Sequence, residues 1–304
     1  MQAILNLAEK VENPCCLIGE VYDEQKMMPV HQASGDRTVL MHAYSHKFIL
    51  CYLFEEFQQA VENADRFEEY SANAAAYFIL PVVYLYDMLP RLALYPNSSE
   101  TERAEILTKV AAKQEKMEIW AKQAPMNYLH KFYLVKAERD RVLGNDKDAR
   151  KYYDKAITLA QENEYLNEEA LAYELAGRFY LSRNQNHVAR HYLQDAHYAY
   201  QRWGAVAKVK DLEARYPQFL ALQSLGSTQN TKNLITTTSG RSGETLDFAA
   251  VMKASQAISG EIVLEQLLNQ VSCHAFKLHI QGGRDAHPTK LRLFVDILFK
   301  CTTA

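Results

Sequence analysis

Residues 133–160, YLVKAERDRVLGNDKDARKYYDKAITLA, and residues 173–200, YELAGRFYLSRNQNHVARHYLQDAHYAY, repeat one pattern at an offset of 40 residues. Both stretches have the apolar spacing of two consecutive helices. The aligned pairs are Tyr133 with Tyr173, Ala137 with Gly177, Ala149 with Ala189, Tyr152 with Tyr192, and Ala156 with Ala196. Small side chains on one helix face let a neighbouring helix cross closely. The repeat therefore predicts helix pairs that nest against one another.

The spacing of small and aromatic residues follows the logic of a tetratricopeptide repeat, as at Gly144, Ala149, Tyr153 and Ala156. The Trp and Pro of that consensus are missing, and the period is 40 residues rather than about 34. We predict an all-α fold, a tetratricopeptide-like right-handed stack of antiparallel helix pairs, followed by a linker and one long helix. The structural repeat positions are Ala137, Gly144, Ala149, Ala156, Gly177, Ala189 and Ala196. The alternative is an unrelated helical bundle in which alanines recur by chance.

Helical periodicity begins near Val39, and few glycines or prolines interrupt it. It predicts helices at 38–53, 56–70, 72–94, 99–122, 127–143, 145–162, 166–183 and 185–203. Ser98 or Ser99 is the expected N-cap of the helix after Pro96. The predicted domains are a short helical lead-in at 1–37, the helical repeat domain at 38–221, a flexible linker at 222–243, a signalling or coiled-coil-like helix at 244–271, and an atypical tail at 272–304.

The linker is recognised by composition, because Ser, Thr, Asn, Gln and Gly make up 15 of the 20 residues at 224–243. Such a segment buries too little apolar surface to offset its ordering entropy. The helix that follows carries an apolar stripe between Leu246 and Leu268. One helix cannot bury that stripe alone, so we expect it to self-associate through 246–268 or to pack on a following domain.

Composition and charge exclude several classes of protein. The formal net charge of −3 argues against a nucleic-acid surface, which normally carries a basic excess. No apolar run is long enough to span a membrane, and the amino terminus lacks the features of a signal peptide. The irregular spacing of the cysteines predicts reduced thiols in a cytoplasmic protein; they are Cys15, Cys16, Cys51, Cys273 and Cys301.

A search for chemistry finds no complete site. The phosphate-binding loops, the kinase motifs and the nucleophile elbow are missing, and Asp247-Phe248-Ala249 resembles a kinase motif only by chance. His42 with His46, and His187 with His191, have chelating helical spacing, but a third metal ligand is not evident. We therefore expect no catalytic, cofactor-binding or metal-ligating residue and no enzyme activity. The many tyrosines are expected to pack between helices, with a minority lining a partner groove.

Four segments resemble the large bacterial multi-sensor signalling kinases: 124–139, 163–172, 200–209 and 246–261. Proteins of that group join a Ser/Thr kinase, an AAA-type ATPase, a tetratricopeptide-like helical region, a GAF sensor domain and a histidine-kinase core. The resemblance covers about 38–271 and implies the helical region plus the helix that leads into the GAF domain. It brings no catalytic residue to this chain.

Three hypotheses follow from these features. The first is a non-catalytic helical-repeat scaffold or interaction module of a signal-transduction kinase, as a fragment of it, which binds proteins or neighbouring kinase domains on a curved surface. The second is a sensor Ser/Thr or histidine kinase whose catalytic domains lie outside this chain. The third is a non-functional remnant, since residues 272–304 do not continue the resemblance; a frameshift, a premature stop or a split gene would explain that tail.

Overall fold

The computed structural model describes residues 1–9, 11–71 and 79–220, and these are helical apart from their connections. The chain divides into two units, Met1–Ala221 and Leu222–Ala304, and every described residue belongs to the first. The predicted all-α class is confirmed for this part of the chain, where one isolated bridge, Ile18 with Asp23, is the only β pairing. The helices are α1 Gln2–Ala8, α2 Glu24–Ser34, α3 Arg37–Leu53, α4 Phe57–Tyr70, α5 Leu80–Leu94, α6 Glu100–Gln123, α7 Pro125–Val142, α8 Asp146–Glu162, α9 Leu166–Ser182, α10 Asn186–Trp203, α11 Val206–Arg215 and α12 Pro217–Leu220.

Four consecutive pairs of these helices form antiparallel hairpins: α3/α4, α5/α6, α7/α8 and α9/α10. The short connection within each pair forces its two helices to pack antiparallel. Ring contacts join the two helices of each pair: Phe48 with Phe67, Tyr84 with Trp120, Tyr133 with Tyr152, and Tyr180 with Tyr192. Each hairpin then packs on the next, α4 on α5, α6 on α7 and α8 on α9.

The tight turns between consecutive helices share one backbone conformation. In the α7/α8 turn, Gly144 has a φ of 80° and the next N–H, of Asn145, donates to the carbonyl of Asp140 at 2.8 Å. This is the left-handed cap that satisfies the last carbonyls of a helix. The same cap recurs at Glu55, Glu164, Asn184 and Gly204. Two of these residues are glutamates, which sequence propensity does not select for positive φ.

Helix starts follow the expected chemistry. Ser99 caps α6, with its Oγ accepting from Glu102 N and the Glu102 carboxylate accepting from Ser99 N, so the predicted N-cap is confirmed. Pro125 occupies the first turn of α7, where its missing N–H costs no helical hydrogen bond. The helix predicted at 72–94 runs from Leu80 in the structure, and its first residues, 72–78, lie outside the described residues.

The predicted list of helices stopped at residue 203 and missed α11, which extends from Val206 to Arg215. This helix matters for the architecture because it packs on α10 and also on α1, near the amino terminus. Helix α1 in turn contacts α3. The lead-in is therefore part of the helical core, and the buried Asn6 anchors it by donating to the carbonyls of Pro14 and Cys16 at 3.0 and 2.7 Å.

Several predictions lie outside the described residues: the linker at 222–243, the helix at 244–271 with its self-association stripe at 246–268, and the tail at 272–304. Among the cysteines in the described residues, Cys15, Cys16 and Cys51 are free thiols. In the described part of the chain, each helix is too short or too polar to cross a lipid bilayer.

Candidate functional site

Apart from Gly144, the small residues of the repeat are buried in the helical packing. Ala137, Ala149, Ala189 and Ala196 have no exposed surface, and Ala156 has 1%. The approach is tightest at Gly177, where a Cβ atom would stand 2.8 Å from the Cγ of Leu193 in the paired helix. Such a contact is shorter than real side chains adopt, so only glycine fits without a shift. Gly144 differs from the others: it is exposed in a turn, and its role there is the positive φ.

A buried ionic cluster, which we name the α7–α9 cluster, joins the start of α7 to the start of α9. It consists of His130, Lys131 and Glu168, each at most 3% exposed. Lys131 Nζ donates to Glu168 Oε2 at 2.7 Å, and His130 Nε2 bonds the same oxygen. The Lys131 ammonium also lies 4.2 Å from the centre of the Tyr165 ring and donates to the carbonyl of Asn127 at 3.0 Å.

Burial shapes the protonation of this cluster. Desolvation lowers the pKa of His130 to about 4, helped by the charge of Lys131, so the ring is neutral near pH 7. Burial alone would raise the pKa of Glu168, but Lys131 and His130 hold it at about 2. A neutral His130 facing a carboxylate must carry its proton on Nε2. Its Nδ1 is then a buried acceptor that finds no hydrogen-bond partner among the described residues.

A buried lysine with a lowered pKa beside a carboxylate is also a combination found in catalytic sites. Here the Lys131 side chain is only 3% exposed, and its ammonium is fully engaged by Glu168, Asn127 and Tyr165. A substrate would have to displace the packing of α7 against α9 to reach it. The arrangement favours a structural role, in which one ion pair fixes the register of two neighbouring hairpins.

A second buried group, the α3–α11 cluster, closes the helical array. Lys208 on α11 has no exposed surface; its Nζ donates to the carbonyl of Leu53 at 2.5 Å, to Glu174 at 2.9 Å and to Asp211 at 3.1 Å. Tyr200 donates to the other oxygen of Glu174 at 2.7 Å. The end of α3 is thereby tied to helices more than 100 residues later in the chain.

Two arginines extend this closure. Glu55, in the turn after α3, accepts ion pairs from Arg178 at 3.2 Å and from Arg215 at 3.0 Å. Arg215 also donates to the carbonyl of Phe54 at 2.8 Å. Burial lowers the pKa of the Arg178 guanidinium, but the charges of Glu55 and Glu174 raise it by more, so the group stays charged. The inner side of α9 and α11 is thus occupied by the end of α3 rather than free for a partner.

A third cluster joins α4, α5 and α6 beside a cavity of about 290 Å³. Asp87 is buried and accepts from Arg91 at 2.9 Å and from Lys113 at 2.6 Å. Arg91 also binds Asp65 at 2.5 Å, and Lys113 binds Glu68. The charged side chains that face this cavity are therefore already held in ion pairs with one another.

Sequence reasoning missed these three clusters, although one signal was present. In α11 the buried positions Ala205, Lys208, Val209 and Leu212 follow an apolar helical stripe, and a lysine occupies one of them. A charge on an apolar stripe indicates a buried partner. Its partner, the carbonyl of Leu53, is 155 residues away and cannot be found from local pattern.

Metal binding finds no support in the described residues. His187 and His191 lie exposed on α10, while His42 and His46 lie half-buried on α3. No cluster of three or more His, Cys, Asp or Glu side chains arises in the described segments. Burial lowers the pKa of His46 to about 4, so this ring stays neutral near pH 7.

Comparison with known proteins gives one partial relationship. No family model matches the chain, and no solved structure matches it. Over 111 residues the chain is 39% identical to hybrid signal transduction histidine kinase G of Dictyostelium discoideum. The match includes 36% of this chain and only 3% of that much longer protein. Part of this helical chain is therefore similar to a segment of a signalling histidine kinase.

Proposed function

We propose that the chain is a non-catalytic helical-repeat module of a signal-transduction kinase, in which it acts as a scaffold or interaction unit. The observation that carries the proposal is the nesting of hairpins α7/α8 and α9/α10 through small residues at one offset, with Gly177 against Leu193. Such nesting builds an extended stack, which we interpret as a tetratricopeptide-like right-handed array. The similarity to a segment of a hybrid histidine kinase supports the signalling context.

The buried clusters make this module a rigid unit in our proposal. Truncating one member of a buried ion pair leaves its partner charged without compensation, so such pairs hold their helices in one arrangement. The end of α3 fills the inner side of α9 and α11 through Lys208 and Glu55. A partner would therefore bind the outer faces of the hairpins, and not a groove at that inner side.

The competing function is phosphoryl transfer by a sensor Ser/Thr or histidine kinase. Only the family relationship supports it for this chain, since the phosphate-binding and kinase motifs are missing from the sequence. Titration calorimetry of the purified full chain with magnesium ATP separates the two functions. We expect no saturable heat of binding, with an active protein kinase as the positive control. Saturable nucleotide binding would overturn the scaffold proposal.

Self-association through 246–268 and a cytoplasmic location are parts of the same proposal. Sedimentation velocity of the full chain tests the first: we expect a dimer that becomes a monomer in Ile258→Asp, because a charge in an apolar seam opposes pairing. The matched control is Lys253→Asp, a residue between the apolar positions of that stretch. A full chain that sediments as a monomer would refute self-association without affecting the interaction role.

A further inference from the structure

The outer surface of hairpin α7/α8 carries a pair of stacked tyrosines. The rings of Tyr133 and Tyr152 are 5.5 Å apart and inclined by only 15°, and both are half-buried. This pair is the floor of a surface patch whose rim is cationic.

Three lysines surround the tyrosine pair. Lys136 Nζ lies 4.5 Å from the centre of the Tyr152 ring, Lys155 Nζ lies 4.9 Å from that of Tyr133, and Lys151 Nζ lies 5.6 Å from that of Tyr152. We call Lys136, Lys151 and Lys155 the lysine face. Cation–π contact holds these ammonium groups near the rings without neutralising their charge.

Within the described residues, the lysine face differs from the lysines of the three clusters in having no carboxylate at ion-pair distance. Lys113, Lys131 and Lys208 each pair with at least one carboxylate within 3.1 Å. Among the described residues, no carboxylate lies within the 4.0 Å limit of an ion pair from any lysine of the face. The nearest acid along α8, Asp154, is turned toward α10, where it accepts from Tyr192 at 2.8 Å. Three unpaired positive charges thus cluster on a chain whose net charge is −3.

The second hairpin shows that the fold does not need these lysines. At the 40-residue offset Tyr173 and Tyr192 also meet, with ring centres 6.2 Å apart, but their rings are inclined by 54° and Tyr192 stacks on Tyr180 instead. The counterparts of Lys136, Lys151 and Lys155 are Ala176, His191 and Asp195. The second hairpin forms without three lysines at these positions, so the helical pairing itself does not require them.

We propose that the lysine face binds an acidic segment of a partner protein, rich in Asp and Glu. This rests on the proposed function as an interaction module and names the chemistry of its partner. Carboxylates of such a segment would meet ammonium groups already positioned by the tyrosines, which reduces the entropy lost on binding. Complementary charge also speeds encounter and selects among partners. A nucleic-acid partner is disfavoured by the acidic balance of the chain.

The test measures fluorescence anisotropy of a labelled oligoglutamate peptide added to the full chain. We expect saturable binding that weakens as salt rises to about 0.3 M, since added ions screen exposed charges. The triple variant Lys136→Ala, Lys151→His, Lys155→Asp gives the first hairpin the residues of the second. We expect it to weaken binding by about tenfold or more, because it removes all three ammonium groups.

Two further variants make the result specific. Lys109→Ala, Lys122→His, Lys210→Asp changes the net charge equally at exposed lysines outside the face, and we expect binding within about twofold of the parent. Replacement of the three face lysines by arginine keeps the charge and should retain binding. Circular dichroism checks that each variant remains helical.

Equal loss in both triple variants would show non-specific attraction and overturn the proposal. So would unchanged binding in the face variant, or tighter binding of single-stranded DNA than of oligoglutamate. These outcomes are distinct from failure of the proposed function, which saturable ATP binding would signal. If the chain binds neither oligoglutamate nor ATP, the proposed acidic-segment site is refuted, whereas the proposed non-catalytic role stands.

Discussion

Hairpins α7/α8 and α9/α10 share the same kind of helix crossing and turn but differ in the side chains that they bury. Both place a small residue at the crossing, Ala137 in the first and Gly177 in the second, and both turn through a positive φ, at Gly144 and Asn184. The first hairpin buries His130 and Lys131 where the second has Ala170 and Leu171. Small residues and turns thus define the repeat, whereas the positions that differ between copies connect hairpins or face solvent.

The largest expected effect concerns the buried ion pair between Lys131 of the first hairpin and Glu168 of the second. Glu168→Leu leaves the Lys131 ammonium buried without an anion, so we expect a loss of about 3–5 kcal/mol in the free energy of unfolding. Urea unfolding of the full chain, followed by helical circular dichroism, measures it. The double variant Lys131→Leu, Glu168→Leu removes both charges and gives position 131 the leucine that the second hairpin has at 171. It should lower the free energy of unfolding much less than Glu168→Leu alone. A double variant as unstable as the sum of the single ones would contradict the pairing.

Acid should destabilise the first hairpin through His130, which the second hairpin lacks. The unfolded ring takes up a proton as pH falls below 6.5, while the folded ring stays neutral until about pH 4. Stability is therefore complete above pH 6.5 and is lost as pH falls toward 4, by on the order of 3 kcal/mol for this group. His46, also shifted to about 4, contributes with the same sign, and Glu168 extends the loss below pH 4.5.

His130→Gln separates these contributions, because glutamine keeps an N–H donor for Glu168 and does not titrate. We expect urea midpoints that decline less between pH 6.5 and 4 than in the parent chain, with His46→Gln removing a further part. If His130→Gln loses stability with falling pH as much as the parent chain does, His130 is not the buried neutral ring described above.

At the helix crossing, the sign of the stability change caused by Gly177→Ala is expected to depend on one neighbouring side chain, Leu193. Gly177→Ala places a Cβ 2.8 Å from Leu193 Cγ, so overpacking should cost about 1–2 kcal/mol despite the better helix propensity of alanine. In a Leu193→Ala background the clash is gone, and the same change should stabilise by up to about 1 kcal/mol. Thermal melts of the four proteins decide it. If Gly177→Ala stabilises both the parent chain and the Leu193→Ala variant, the close contact described at this crossing is refuted.

The smallest effect is expected at the two turns. Gly144→Ala puts a Cβ in the left-handed region, at a φ of 80°, and should cost about 1 kcal/mol even though the surrounding space is open. Asn184→Gly, at a φ of 58°, should change stability by less than about 0.5 kcal/mol. Urea midpoints measure both. Equal effects at the two positions would show that backbone conformation does not distinguish them.

Local signals in the sequence located most helices within a few residues. The stretch predicted at 185–203 is α10, Asn186–Trp203, because a strong apolar period and a turn residue mark its limits. Helix α11 was missed because it is only 10 residues long and carries Lys208 on its buried stripe. The lead-in was underestimated for a similar reason: the packing of α1 on α11 joins segments about 200 residues apart.

The sequence alone determined the helical class, the repeat offset and the small positions, because each depends on neighbours within two helical turns or on comparison of two copies. Only the tertiary structure decided which charges are buried and paired, as for Lys208 with Leu53 and Lys131 with Glu168. It also decided that the lysines of the face have no anionic partner in the part of the chain that the structure describes. The physical reason is distance along the chain: a charge is stabilised by whatever the fold brings within a few ångströms, and local periodicity carries no information about that partner.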